Sequence, residues 1–185
     1  MHRLFLLGST ATVLLLALVS VSAVASPVAG SHAALYRDAV GDAGDAPDIA
    51  QITIGRVPSG VAVDVRLASP TELGPYGWIL FGIDTDRNPF TGGGRGDELL
   101  VFTNGERTTV ARWTGAGFSA GFAHRDIHAS LSGTDLTFVL SWADLGARSF
   151  RFSAASLRQD ADLAPGDGVA TYPPRPRGQI GRAHV

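Results

Sequence analysis

The sequence predicts an all-β domain, an antiparallel β-sandwich of about eight or nine strands, with a closed β-barrel as the alternative. Three observations carry this. Short runs rich in β-branched residues alternate with turn chemistry at intervals of roughly ten residues. No segment beyond the N-terminal apolar run shows the period of an amphipathic helix. The connections are also too short for the crossovers that parallel strands require.

Taken in order, "DIAQITIGR" and "VAVDVRLA" flank the turn "VPSG" and read as a hairpin. The second run alternates Val61, Val63, Val65 and Leu67 with Ala62, Asp64 and Arg66, as a half-buried strand does. "WILFGID" is apolar on both parities and predicts a central strand. "LLVFTNGERTTVARWTGAGFSAGFAH" predicts three strands, joined at Asn104-Gly105, a pair that accepts positive φ, and at Thr114–Gly117. "TDLTFVLSW" is a strand, "ADLG" a helical turn at most, "SFRFSAASLR" a strand, and "DADLAPGDGVATYP" a loop with a last short strand near Tyr172.

The flanks read differently. Residues 1–25 combine a short basic start with the apolar run "LFLLGSTATVLLLALVSVSAVA" and end in Ala23-Val24-Ala25, the pattern of a secretory signal peptide cleaved before Ser26. Residues 26–35 form a short N-terminal segment, 36–172 the sandwich domain, and 173–185 a proline-rich tail. Ile180–Val185, with Gln179, resembles the translation of a widely used sequencing adapter, so the natural chain is expected to continue and His184 carries no role. The chain is therefore expected to be secreted, without a stable membrane anchor, and monomeric.

Composition narrows the chemistry. There is no cysteine, which removes disulfides, thiol catalysis and thiolate metal sites. The formal charge is −2, and the scattered arginines form no basic patch, so no nucleic-acid partner is expected. No Gly-x-Ser-x-Gly elbow anchors a hydrolase triad. "TGGGRGDE" lacks the lysine and following helix of a phosphate-binding loop, and its Arg-Gly-Asp is read as a chance tripeptide.

Two aspartate-rich segments remain, and calcium is the cofactor they suggest, because calcium takes six to eight oxygen ligands from loops that can curl. The first, "DAVGDAGDAPDI", offers Asp38, Asp42, Asp45 and Asp48. The second, "DTDRNPFTGGGRGDE", offers Asp84, Asp86 and Asn88 at alternate positions, with Asp97 or Glu98 arriving late and Asp97 the expected fourth ligand. Pro89 and Arg95 stand where an EF-hand needs glycine and glutamate, so this is a different loop. The competing reading is that these side chains only cap turns. His124, Asp126 and His128 could share one strand face and ligate zinc, but a solvated strand face is the preferred reading. Among the aromatics, Trp78 and Trp142 are assigned to packing. Trp113, beside a glycine turn, is the candidate sugar platform.

The order of "DAVGDAGDAPDI", "WILFGIDTDRNPFTGGGRGDE", "VARWTGAGF", "SWADLG" and "DLAPGDG" resembles secreted β-sandwich domains related to carbohydrate-binding module family 9 and the wider DOMON-like group. The resemblance spans Tyr36 to Tyr172. It implies a non-catalytic module, often with structural calcium, that binds sugars or haem. Met1 is the only methionine, so no methionine remains after cleavage to serve a haem. The expectation is thus a secreted, calcium-stabilised module for polysaccharide or cell-wall glycan. A secreted hydrolase and a structural accessory domain of a longer exported protein are the alternatives. Intact-mass analysis of the exported protein is expected to give a mature N-terminus at Ser26, and retention of residues 1–25 would contradict the signal-peptide reading.

Overall fold

The computed structural model describes residues 33–70, 73, 76–120, 127, 129–166 and 168–173. The signal segment, His124, Asp126 and His128, and the tail beyond Pro173 lie outside the described residues. Among the described residues, no helix is long and apolar enough to cross a membrane.

Two separate antiparallel sheets face each other, and no closed barrel forms among the described strands. The first sheet contains β1 (Ala34–Arg37), β2 (Ile49–Val57), β3 (Gly60–Leu67), β8 (Ser130–Ser132) and β9 (Asp135–Ser141), in the order β1-β2-β3-β9-β8. The second contains β4 (Trp78–Asp84), β5 (Leu99–Thr103), β6 (Thr108–Trp113), β7 (Phe118–Ala120), β10 (Phe150–Leu157), β11 (Ala161–Ala164) and β12 (Ala170–Tyr172). Its order is β11-β10-β4-β5-β6-β7, with β12 also paired to β10. The strand count exceeds the sequence estimate because β1, β8 and β11 are three or four residues long, too short for a readable period.

Each long strand follows from its pattern. In β2 a register shift between Ile49 and Gln51 changes the parity, so that Ile49 joins Ile52 and Ile54 in full burial. β3 departs from the half-buried expectation. It is the middle strand of its sheet, and Ala62 and Asp64 are buried along with the valines, leaving only Arg66 exposed. β4 is central, as its two-sided apolar run predicts, between β10 and β5. The Asn104-Gly105 turn is a four-residue loop closed by the Thr103–Thr108 pair rather than a two-residue turn. Gly105 alone takes positive φ (88°), while the Asn104 side chain accepts from the N–H groups of Glu106 and Arg107. The helical turn α1 (Trp142–Leu145) is capped by the Ser141 hydroxyl and ends at left-handed Gly146.

The core lies between the sheets. Phe81 stacks on Phe152 at 5.3 Å and meets Phe138 of the opposite sheet edge-on at 5.5 Å. Tyr36 on the first strand sets its ring edge-on to Phe152 and donates its hydroxyl to the Thr171 carbonyl of the last strand, at 2.7 Å. Phe81→Ala is expected to cost about 3–5 kcal/mol in urea unfolding, as a large buried ring removed from a packed core. Tyr36→Phe, which loses one hydrogen bond and little volume, is expected to cost about 1 kcal/mol by the same measurement.

Candidate functional site

The register of the second sheet brings one row of side chains together on its outer face. Thr171 of β12 lies opposite Arg151 of β10, and Arg151 lies opposite Asp84, the last residue of β4. Ile83 pairs with Leu99, so one position further on Asp84 faces Glu98. The Trp113 N–H donates to the Glu98 carbonyl at 2.8 Å, and Trp113 pairs with Phe118. Like charges directly opposite on neighbouring strands destabilise a sheet. Asp84 and Glu98 hold that relation.

Asp86 completes the group. Carboxylate oxygens of Asp84, Asp86 and Glu98 all lie within 4.8 Å of one another. Asp84 is 1 % exposed; its Oδ2 takes the Arg151 guanidinium at 3.2 Å, while its Oδ1 is buried and has no hydrogen-bond partner. Glu98 accepts from the N–H and hydroxyl of Thr85, at 2.6 and 3.0 Å. The Thr91 hydroxyl stands within 2.9–3.1 Å of both Asp86 carboxylate oxygens, the Asn88 carbonyl and Glu98 Oε1. One hydroxyl proton cannot serve four acceptors at once, so oxygen faces oxygen here without a proton between. Burial raises the Asp84 carboxyl above the usual range, and the Glu98 charge adds to it. Exposed Asp86 is lowered, chiefly by the Asn88 N–H.

The loop between β4 and β5 folds back over the sheet to form this group. Its return needs glycine where it passes closest. A Cβ on Gly82 would lie 2.8 Å from Asp97 Oδ1, and one on Gly93 would lie 2.6 Å from the Phe118 ring. Asp97 therefore sits against Gly82, outside the three-carboxylate group, and Glu98 stands where Asp97 was expected. Gly82 and Asp84 share the outer face of β4, so Asp97 lies on that same face one step back along the strand, while Glu98 takes the position opposite Asp84. Asn88 has its Oδ1 engaged by the Phe90 N–H, and Asp86 accepts the Asn88 N–H, so turn capping accounts for part of this segment.

The first aspartate segment gathers a second acidic cluster with partners that the sequence reading missed. Asp38 accepts the Gly166 N–H, Asp48 the Gly41 N–H, and Asp162 of β11 the Ile49 N–H. Asp38 Oδ2 and Asp48 Oδ1 are buried without hydrogen-bond partners. Burial raises Asp38 and Asp162, and the negative charges of Asp42 and Asp48 add to both. Asp45 enters through its backbone N–H, which donates to Asp160.

Trp113 is half-buried, with its ring edge-on to Phe118 at 5.2 Å, so it braces the β6–β7 turn beside the site. The fully displayed rings are Phe90, 94 % exposed on the acidic loop, and Tyr76, 82 % exposed. Trp142 packs against the core and carries Arg148 and Arg56 over its face, at 4.8 and 5.9 Å. A polar cleft of about 380 Å³ adjoins the three-carboxylate group, lined by Asp86, Arg87, Ser149, Arg151, Thr171 and Pro173. Comparison of the chain with family models, curated proteins and solved structures gave no match.

These environments give a pH dependence. Asp38, Asp84, Asp97 and Asp162 have folded-state values above the ordinary 3.8, each chiefly through burial. The folded state then binds more protons than the unfolded one, so stability is highest below that value and falls as pH rises through the raised range. Asp86 acts in the opposite sense, but its window lies below 3.8. In chelator, the urea midpoint is expected to decline as pH rises above 3.8 through the raised range of these carboxyls. A midpoint that climbs across this interval would contradict the assignment.

Proposed function

We propose that the protein is an exported, non-catalytic β-sandwich module that is stabilised by calcium and binds glycan. One observation carries the calcium reading: Asp84, buried at the end of a central strand, leaves Oδ1 unpartnered while two further carboxylates approach it. A buried charge without compensation costs several kcal/mol. The carboxylates outnumber the guanidinium of Arg151 that pairs with them, leaving a net negative charge that a divalent cation would offset. Asp84, Asp86 and Glu98 would hold it, and hard oxygen donors on a curled loop suit calcium.

In the second cluster Asp38 and Asp48 likewise leave buried oxygens unpartnered near Asp162, but among the described residues only Asp84, Asp86 and Glu98 bring three carboxylates within 4.8 Å of one another. The glycan part of the reading rests on the resemblance to sugar-binding sandwiches. Exposed Phe90 replaces Trp113 as the first platform to test.

Thermal unfolding tests the proposal. Calcium at about 100 times its dissociation constant is expected to stabilise the fold by about 2.7 kcal/mol over chelator. Asp86→Ala, at an exposed position, should fold and lose most of that increment. Identical melting of the wild type in calcium and in chelator would overturn the calcium reading. Failure to bind any member of a broad glycan array would leave a structural domain rather than a binding module.

A further inference from the structure

The cleft beside the three-carboxylate group is itself a site, and the geometry points to a ligand that carries a carboxylate on a polyhydroxylated body, the chemistry of a uronic acid. This inference rests on the proposed calcium reading. Two guanidiniums, Arg87 and Arg151, line the cleft together with the Ser149 hydroxyl and Thr171, and Pro173 closes one side. A volume of about 380 Å³ lies at the small-molecule end of ligand pockets. Guanidinium forks match the planar carboxylate with paired N–H donors. Ser149, Thr171 and Asp86 supply hydrogen-bonding groups for hydroxyls, and the Pro173 ring offers an apolar face for the C–H side of a sugar.

Neither guanidinium is used up by the fold. Arg151 reaches Asp84 through one nitrogen at 3.2 Å, with its side chain 26 % exposed. Among the described residues, the Arg87 guanidinium makes only a long 3.4 Å contact, to Ser149 Oγ. Arg87 is the only non-glycine residue at positive φ (63°) among the described residues, a conformation that disfavours a side chain with a Cβ. That placement aims an arginine into the cleft at a position glycine would fill more cheaply.

Asp86 belongs to both the cleft wall and the carboxylate group. This couples the two sites. Without a cation, the three carboxylates outweigh Arg151 and Arg87 together, and an anion is repelled. With a divalent cation the sign reverses, so calcium switches the cleft from rejecting a carboxylate to accepting one.

Calorimetry on the whole exported chain separates the outcomes. Calcium is titrated first, and absence of binding overturns both this inference and the function it rests on. On calcium-loaded protein, digalacturonate is expected to bind, galactose is not, and chelator should weaken the uronate at least about tenfold. Arg87→Gly is expected to weaken uronate binding about tenfold or more while leaving calcium binding intact and melting unchanged or higher. Calcium binding without uronate binding, uronate binding that is equal in chelator, or an unaffected Arg87→Gly variant each overturns the inference alone. Galactose 1-phosphate binding as tightly as the uronate would overturn the choice of carboxylate over phosphate.

Discussion

A carboxylate buried at the end of a central strand, opposite a second carboxylate on the next strand, constrains everything built around it. Pairing of β4 with β10 fixes the backbone at Asp84, and the Glu98 N–H on the Ile83 carbonyl fixes the backbone at Glu98, so both carboxylates start from set positions. What can adapt is the chain between them. It curls so that Thr85 and Thr91 surround Glu98 with hydroxyls, and it brings the backbone of Arg87 back toward Asp84. On the other side, β10 supplies Arg151 from the same transverse row. The glycines of the loop then follow as a packing requirement, since the returning chain passes directly over the sheet.

The second acidic cluster solves a different problem with the same residue type. Asp38 and Asp48 belong to the loop between β1 and β2, in one sheet, and Asp162 belongs to β11, at the edge of the other. The bond from the Ile49 N–H to Asp162 and the one from Ser156 to the Pro47 carbonyl fasten that loop across the gap between the sheets. Here the carboxylates hold the open side of the sandwich together, whereas around Asp84 they lie within one sheet. Both arrangements leave buried oxygens without donors, a cost that natural folds keep only where something offsets it.

Much of the fold was legible because the long strands carry their period openly. β3 and β9 alternate in sequence, although β3 proves buried on both parities; β4 is apolar on both, and the Ser141 cap with Gly146 marks the helical turn. β1, β8 and β11 were not legible, since three or four residues cannot show a period. The site was half legible. Alternate acids after a strand announced Asp84 and Asp86, but the choice of Glu98 over Asp97 depends on the register between β4 and β5. No local signal carries that register across the intervening loop. Asp162 and Arg151 were hidden for the same reason: each reaches its partners from a strand more than sixty residues away. Aligning Ile83 with Leu99 would have exposed the Glu98 pairing, because the next step outward is then fixed.

The Tyr36 hydroxyl on the Thr171 carbonyl ties the first strand of the domain to its last. Entry and exit of the backbone are thereby brought side by side, although the two residues are 135 positions apart. A unit of this kind can sit within a longer polypeptide as a lateral outgrowth, handing the chain back close to where it was received. It would add a recognition surface to its host without lengthening it. Tension along such a host would fall first on this one hydroxyl contact and the short edge strands beside it, leaving the carboxylate row on the outer face of the sheet until later.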